Sequence, residues 1–160
     1  MKFKAKQLTR GAVIAALYAV LTLVLAPISF GSVQFRISEA LTVLPFILPE
    51  VVWGLTLGCL ISNIINGNII DAVLGTLATF LAAYTTSKIK KLWLAPLPAV
   101  IFNGIITGFA VTIITVEFTW TAYIMIGLSI ALSELVIVYA GGIPLLTAVN
   151  GLSQKYSVFK

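Results

Sequence analysis

Six apolar segments, separated by only a few polar or helix-breaking residues, dominate the chain and constrain its fold more than any other feature. A helix needs about 20 mostly apolar residues to cross a bilayer, so six spans would use about 120 residues. The rest of the 160 residues suffices for short loops but leaves no room for a soluble domain. A charged fraction of 9% agrees with this, since soluble domains average about 25%. The sequence therefore predicts an all-α integral membrane protein whose residues 1–160 form a single six-helix domain.

Breaks in the apolar pattern locate the helices. Pro49 separates the second segment from the third, and Asn66-Gly67-Asn68 is a turn signal after the third. In the last segment, Gly141-Gly142-Ile143-Pro144 predicts a kink. The predicted helices are Gly11–Ile28, Ser38–Leu48, Val51–Ile65 (with Glu50 as an alternative start), Ile69–Thr86, Leu92–Val116 and Ala122–Leu152.

Basic residues indicate the orientation, because cytoplasmic loops of membrane proteins are enriched in Lys and Arg. With six spans, all but one of the basic residues lie on the side of the two termini, and only Arg36 lies on the other. We therefore expect a cell-membrane protein of a prokaryote with both termini in the cytoplasm. The residues on the cytoplasmic side would be Lys2, Lys4, Lys6, Arg10, Lys88, Lys90, Lys91, Lys155 and Lys160.

Missing residue types exclude several kinds of chemistry. The chain has no His and a single cysteine, Cys59, so His acid–base catalysis, a disulfide within the chain and a cysteine metal cluster are excluded. Cys59 lies in an apolar run and is interpreted as a small buried hydrophobe. A glycine-rich phosphate loop is also absent. We expect no enzyme, no metal and no cofactor in this chain, and no nucleic-acid partner, since the net charge of +5 follows from topology.

Two polar residues lie deep in the last two apolar segments, where polar side chains are costly and often functional. Glu134 would lie about 18 Å from the outer end of its helix at 1.5 Å per residue. It either contacts a ligand or is a neutral, hydrogen-bonded structural residue. Asn103 lies at similar depth, where it either reads a ligand or joins two helices by a hydrogen bond. Both alternatives stay open on the sequence alone.

Further candidates crowd the predicted outer ends of the helices. Arg36 and Glu39 either pair with each other or face a ligand. Helix capping explains Asn68 and accounts for Asp71, but not for Asn63. Together these polar candidates predict a cavity at the outer ends of the helices. Its expected ligand is a small polar aromatic molecule, either neutral or cationic. The remaining candidates for this cavity are Asn66 and, for ring stacking, Phe30, Phe35 and Trp120.

Small residues recur four positions apart, a spacing that lets helix backbones approach closely in lipid. The first segment contains Ala12 with Ala16 and Ala15 with Ala19. Gly54-xxx-Gly58 and Gly104-xxx-Gly108 follow in the third and fifth segments. Packing within the molecule and contact with a partner are both compatible with these patterns.

The run from Ile28 to Leu41, ISFGSVQFRISEAL, followed by Leu44-Pro45-Phe46, resembles the QueT family. Its members are queuosine-precursor substrate-binding (S) subunits of energy-coupling factor (ECF) transporters. The resemblance covers nearly the whole chain and implies the compact six-transmembrane-helix fold of an ECF S component. It also implies a site near the outer face, closed by the loop over residues 27–37, in which Phe30 and Phe35 lie.

The same resemblance implies partners and a substrate. A transmembrane coupling protein would contact the helix 1 alanines at Ala12 and Ala16, with Ala15 and Ala19. Two cytoplasmic ATPases would hold the ATP and Mg. The expected ligand is queuine or an aminomethyl or cyano 7-deazaguanine. Alternatives are an S component for another vitamin-like micronutrient, a stand-alone channel or transporter, a structural membrane protein and, least favoured, an intramembrane enzyme.

Overall fold

Pro27 determines where the first helix ends. The computed structural model describes residues 5–30 and 34–156, with side chains through residue 152. Helix α1 spans Ala5–Val24, and one separate turn, α2, spans Ala26–Ser29. Because Pro27 has no N–H to donate, it cannot continue the hydrogen bonding of α1. The predicted helix Gly11–Ile28 was therefore placed too far along the chain at both ends.

Five further helices complete the described part of the chain, which contains no strand. The 3₁₀ helix α3 spans Ile37–Phe46, α4 Pro49–Ile65, α5 Ile69–Thr86 and α6 Leu92–Thr115. Helix α7 runs continuously through Trp120–Val136, Ile137–Gly142 and Ile143–Tyr156. The all-α prediction is confirmed. The count of six spans is not, since residues 5–30 and 34–156 form seven helices, of which α1, α5, α6 and α7 are long and apolar enough to cross a membrane.

Helix α3 lies at the centre of the fold, in contact with α1, α5 and α7. Seven of its ten residues are buried, Glu39 among them. A 3₁₀ helix of this length is uncommon because its hydrogen bonds are less well aligned than those of an α-helix. Its first turn carries polar side chains, whereas Val43 and Leu44, near its end, belong to the apolar core. The centre of the molecule is thus polar at one end of α3 and apolar at the other.

Glycines permit the two closest helix crossings. A Cβ atom at Gly54 of α4 would collide with the carbonyl group of Gly11 in α1. A Cβ at Gly108 of α6 would come within 2.7 Å of the Cα of Gly127 in α7. The predicted small-residue contacts in the third and fifth segments are therefore packing contacts within the molecule.

Two π-helical stretches interrupt the last two helices, at Asn103–Thr107 in α6 and at Ile137–Gly142 in α7. The second lies at the predicted kink, just before Pro144, which has no N–H for a helical hydrogen bond. Such π-helical turns occur frequently at functional sites. Both stretches here adjoin a deep polar residue, Asn103 in one case and Glu134 in the other.

The outward surface of the helices is apolar. Large side chains that point away from the core include Val20, Leu128 and Leu132, each more than half exposed. A surface of this kind is suited to lipid rather than to water. Together with the four candidate spans, it identifies a multi-pass membrane protein. The orientation of the termini stays a prediction, and Lys2, Lys4, Lys160 and residues 31–33 of the predicted lid lie outside the described residues, as does the side chain of Lys155.

Candidate functional site

Six polar residues from five helices meet inside the protein around the first turn of α3. We call this set the buried polar cluster, and its solvent exposure is 3% or less at every position. Arg36 immediately precedes α3, and Glu39 lies in its first turn. The other members come from α4, α5, α6 and α7 respectively: Asn63, Asp71, Asn103 and Glu134.

An ion pair joins α3 to α5 in this cluster. The Nη2 atom of Arg36 lies 3.3 Å from Oδ2 of Asp71. The ring of Phe30 lies over the same guanidinium, 5.1 Å from the ring centroid to Cζ, at cation–π distance. Arg36 and Glu39 share no ion pair. The sequence alternative in which those two residues pair with each other is therefore wrong, because Asp71 takes the guanidinium.

Two hydroxyl groups hold the carboxyl group of Glu39. Tyr18 of α1 donates a hydrogen bond to its Oε1 atom, and Thr79 of α5 donates to the same oxygen at 3.2 Å. The amide of Asn103 lies beside this carboxyl group. Glu39 is thus positioned from two sides, and its second oxygen is left for another partner.

The amide of Asn63 ties the end of α4 to the start of α5. Its Nδ2 donates to the main-chain oxygen of Asp71 at 2.9 Å and lies 3.4 Å from Sγ of Cys59. Helix capping does not explain Asn63, as the sequence indicated. Asn68 does act as the predicted cap, since its side chain accepts from the backbone N–H groups of Ile70 and Asp71.

Cys59 is buried in the apolar core as predicted, but polar groups also contact it. Besides Asn63, the hydroxyl oxygen of Thr79 lies 3.3 Å from its Sγ and Nη1 of Arg36 lies 3.8 Å from it. The thiol therefore lies among the groups of the buried polar cluster. Its interpretation as a simple small hydrophobe was incomplete.

Glu134 and Asn103 are the members of the cluster that the last two helices contribute. Glu134 is near enough to Glu39 and Arg36 for their charges to act on it. It makes no ion pair with any residue that the structure describes. Asn103 bonds within its own helix, where the Thr107 hydroxyl donates to Oδ1 at 3.0 Å. The side chain of Asn103 also lies beside the Glu39 carboxyl group of α3, so both alternatives that the sequence left for Asn103 stay open.

Every member of the buried polar cluster has one buried side-chain atom without a hydrogen-bond partner among residues 5–30 and 34–156. Buried polar groups in native proteins are nearly always paired, and each unpaired one costs about 1–3 kcal/mol. Six such atoms in one group of buried residues make this cluster the candidate ligand site. Two are donors and four are acceptors: Arg36 Nε and Asn103 Nδ2, and Glu39 Oε2, Asn63 Oδ1, Asp71 Oδ1 and Glu134 Oε2.

A cavity of about 180 Å³ lies at the edge of the cluster, and Asp71 belongs to both. We call it the rim cavity. Its volume is below the usual range of about 300–1,000 Å³ for small-molecule pockets, which favours a small ligand. Glu39, Asn103 and Glu134 do not line it. Its lining residues are Phe30, Gln34, Asn66, Asn68, Asp71, Val111, Ile114 and Thr115.

The structure places other sequence candidates outside the cluster. Asn66 is exposed and reaches only the rim cavity. Phe35 is 37% exposed and Trp120 is 72% exposed. Trp120 instead contacts Phe118 and Tyr123 in an aromatic group at the turn between α6 and α7. Of the predicted stacking residues, only Phe30 borders the cluster.

The four helix 1 alanines point in two directions. Ala12 and Ala16 are exposed on the surface of α1. Ala15 faces α4, where a Cβ at Gly58 would meet its carbonyl oxygen at 2.6 Å, and Ala19 is buried. A partner contact through these alanines stays a prediction; Ala15 is half-buried, and Ala19 is buried.

Tyr18 and Thr79 are site residues that the sequence analysis missed. Asp71, Gly75 and Thr79 are spaced four residues apart, so the three lie on one face of α5. A Cβ at Gly75 would come within 2.7 Å of Oδ1 of Asp71 and 3.1 Å of Nδ2 of Asn63, so this glycine leaves room for both polar groups. This spacing from Asp71 could have identified Thr79 as a site residue in the sequence. No comparable pattern marks Tyr18 among the apolar residues of α1.

Comparisons with known proteins agree with the resemblance seen in the sequence. The family model described as "QueT transporter" matches residues 8–151. The protein named "Queuosine precursor transporter QueT" of Lactococcus lactis subsp. cremoris (strain MG1363) is 38% identical over 80 residues. This match covers 49% of the present chain, which spans about half the length (47%) of that relative. No solved structure matches.

These matches concern a family of transporters and not a family of enzymes, as the missing chemistry in the sequence predicted. The family model covers nearly all of the part of the chain that forms helices α1 to α7. On this ground the chain belongs to the QueT transporter family.

Proposed function

We propose that this chain is the membrane-embedded substrate-binding subunit of an ECF-type transporter and takes up a queuosine precursor. The observation that carries the proposal is the buried polar cluster, whose six members each have one unpartnered atom. Family membership and the name of the Lactococcus relative support queuosine precursors as the substrate class. The proposed fold is the six-helix S component, in which α3 and α4 act as short helices of the bundle.

The chemistry of the cluster fits a 7-deazaguanine. A guanine-like edge carries neighbouring N–H donors beside a carbonyl acceptor. Glu39 and Glu134 offer unpartnered carboxyl oxygens for the donors, and Asn103 offers an unpartnered N–H for the carbonyl. The donors of this edge would then pair with the carboxyl oxygens and its carbonyl with the amide, which would fix the orientation of the heterocycle. Phe30 supplies an aromatic face at the border of the cluster.

Calorimetric titration tests the substrate class directly. The purified, detergent-solubilised protein is titrated with queuine and with aminomethyl and cyano 7-deazaguanine, with thiamine and riboflavin as controls. We expect saturable binding of deazaguanines only. Binding of a control vitamin alone would keep the transport architecture and overturn the substrate. If correctly folded protein binds none of them, the substrate proposal is wrong.

Glu134→Gln tests whether the deep carboxyl group contacts the ligand. The amide keeps the shape but replaces one carboxyl oxygen by an N–H donor, so affinity should fall at least about tenfold, or 1.4 kcal/mol. The matched control is Glu117→Gln, since Glu117 is exposed between α6 and α7. Unchanged affinity with a lower melting temperature would assign Glu134 a structural role only.

The ECF part of the proposal concerns partners and orientation. A transmembrane coupling protein would contact α1 at Ala12 and Ala16, which are exposed next to Val13 and Leu17 on the same surface. Two ATPases on the cytoplasmic side, where both termini are proposed to lie, would hold the ATP and Mg. The proposed location is the cell membrane of a prokaryote. Capture of the ligand from outside would precede its ATP-driven release inward.

Uptake in lipid vesicles separates this proposal from a stand-alone transporter. The chain is reconstituted alone and together with a coupling protein and two ATPases, and uptake of labelled deazaguanine is measured with and without ATP. We expect uptake only in the complete complex with ATP. Ala16→Leu should reduce co-purification of the coupling protein, whereas Val136→Leu, at an exposed position of α7, should not. Uptake by the chain alone would contradict the ECF assignment.

A further inference from the structure

Three lysines lie close together in the short segment that joins α5 to α6. We call residues 87–91 the basic loop, and its lysines are Lys88, Lys90 and Lys91. All three side chains are exposed. None of them forms an ion pair within the part of the chain whose side chains the structure describes, residues 5–30 and 34–152. The basic loop therefore presents three positive charges at the surface.

The acidic side chains lie elsewhere, and the chain has only five of them. Three belong to the buried polar cluster, where solvent exposure is 3% or less. A fourth, Glu50, pairs with Arg10 at 2.9 Å between Oε1 and Nη1. The fifth, Glu117, follows the far end of α6, which begins directly after the basic loop. Among the described residues, no acidic side chain is thus left to neutralise the three lysines.

The fold holds the basic loop in a defined position. The hydroxyl of Thr86, the last residue of α5, donates to the main-chain oxygen of Ala95 at 3.0 Å and so joins the two helix ends that flank the loop. From α7, the hydroxyl of Tyr139 donates to the main-chain oxygen of Trp93 at 2.8 Å. The three lysines therefore extend from a turn whose ends are fixed by hydrogen bonds.

Two aromatic residues indicate that this turn lies at the depth of lipid headgroups, where Trp and Tyr are enriched. Tyr84, in the last turn of α5, is 50% exposed, and Trp93, at the start of α6, is 71% exposed. Nζ of Lys88 lies over the Tyr84 ring, 5.3 Å from its centroid. The 18 residues of α5 extend about 27 Å, close to the roughly 30 Å of the hydrocarbon core, so the loop begins where the headgroups begin.

We propose that the basic loop binds the headgroup of an anionic phospholipid. Ammonium groups donate strong, charge-assisted hydrogen bonds to phosphate oxygens. A headgroup with a net negative charge also supplies the counter-charge that the protein lacks here, whereas a zwitterionic headgroup offsets its phosphate with a cation of its own. The exposed rings of Tyr84 and Trp93 would border the same lipid. This assignment depends on the membrane location of the chain and not on its substrate.

Native mass spectrometry of the full chain, released from detergent, tests the proposal. Dioleoyl phosphatidylglycerol and dioleoyl phosphatidylcholine are added at equal concentrations, and the amount of each bound lipid is measured. Each lysine near a headgroup strengthens anionic binding up to about fivefold, so wild type should prefer phosphatidylglycerol at least about tenfold. The triple variant Lys88→Gln, Lys90→Gln and Lys91→Gln should lower this preference at least about fivefold.

A matched variant separates charge from shape. Lys88→Arg, Lys90→Arg and Lys91→Arg together keep all three positive charges and should keep the preference for phosphatidylglycerol. Without added lipid, wild type and both variants should melt at the same temperature in detergent, because the changed side chains are exposed. Loss of the preference in the glutamine variant would then reflect lost binding rather than unfolding.

Four outcomes would overturn the lipid site. The first two are equal binding of both lipids by wild type and an unchanged preference in the glutamine variant. Displacement of phosphatidylglycerol by inorganic phosphate, but not by sodium chloride at the same ionic strength, would indicate a site for free phosphate instead. If the glutamine variant keeps its lipid preference but loses co-purification of a protein partner, the loop binds an acidic protein surface.

Discussion

Arg36 and Asp71, 35 residues apart in the chain, form an ion pair in the interior, with 3.3 Å between Nη2 and Oδ2. The pair connects the beginning of α3 to the first turn of α5. Each partner also has one further polar atom without a hydrogen bond among the described residues. The pair therefore both holds two helices together and leaves capacity for a ligand.

Removal of either partner should destabilise the protein strongly. Arg36→Met leaves the Asp71 carboxylate without a cation, and breaking a buried pair in this way costs about 3–5 kcal/mol. The double variant Arg36→Met with Asp71→Leu should lose much less than the sum of the single changes. Thermal unfolding in detergent, compared across the double-mutant cycle, measures this. Additive losses would mean that the two groups do not interact.

Tyr18→Phe should impair ligand binding as well as stability. It removes one of the two donors that hold Glu39 and leaves Oε1 with Thr79 alone. Leaving a buried acceptor less satisfied costs about 1–3 kcal/mol. The matched control is Tyr139→Phe, whose hydroxyl donates to the main-chain oxygen of Trp93 away from the cluster. Equal effects of both changes on ligand affinity would contradict a positioning role for Tyr18.

Gly75→Ala should weaken binding through a steric effect within the cluster. The added methyl group would come within 2.7 Å of Oδ1 of Asp71, so this side chain would have to turn away from its present position. The neighbouring variant Ala78→Gly lies on the same helix and serves as a control for changes in helix propensity, which cost about 1 kcal/mol. Ligand affinity should fall in Gly75→Ala and stay within about twofold of wild type in Ala78→Gly once stability is accounted for. Wild-type affinity in Gly75→Ala would show that Asp71 does not need this position.

The crossing of α1 and α4 should respond asymmetrically to alanine substitution. Gly54→Ala would drive its Cβ into the carbonyl group of Gly11, and such overpacking costs about 1–3 kcal/mol. Gly11→Ala meets nothing within 4 Å and should be neutral or stabilising by up to about 1 kcal/mol, since alanine favours a helix. Melting temperatures of the two variants measure the difference. A similar loss in both would mean that the helices cross elsewhere.

Local features of the fold were predictable from the sequence because they depend on neighbouring residues. The fourth predicted helix, Ile69–Thr86, matches α5 at both ends, since Asn68 caps its start. The predicted close approach at Gly104-xxx-Gly108 is present between α6 and α7. The first helix was misplaced because hydropathy alone does not show that α1 begins at Ala5, among charged residues.

The sequence alone determined an all-helical membrane protein with polar residues at Arg36, Glu39, Asn63, Asp71, Asn103 and Glu134, because apolar runs and costly polar exceptions are visible in one dimension. The tertiary structure decided which of these groups meet. Spacing allowed a pair between Arg36 and Glu39, yet packing of α5 against α3 gives the guanidinium to Asp71. Likewise Tyr18 reaches Glu39 only because α1 packs against the centrally buried α3. Helical periodicity defines the faces of each helix, whereas the partner of each face depends on how all the helices pack around α3.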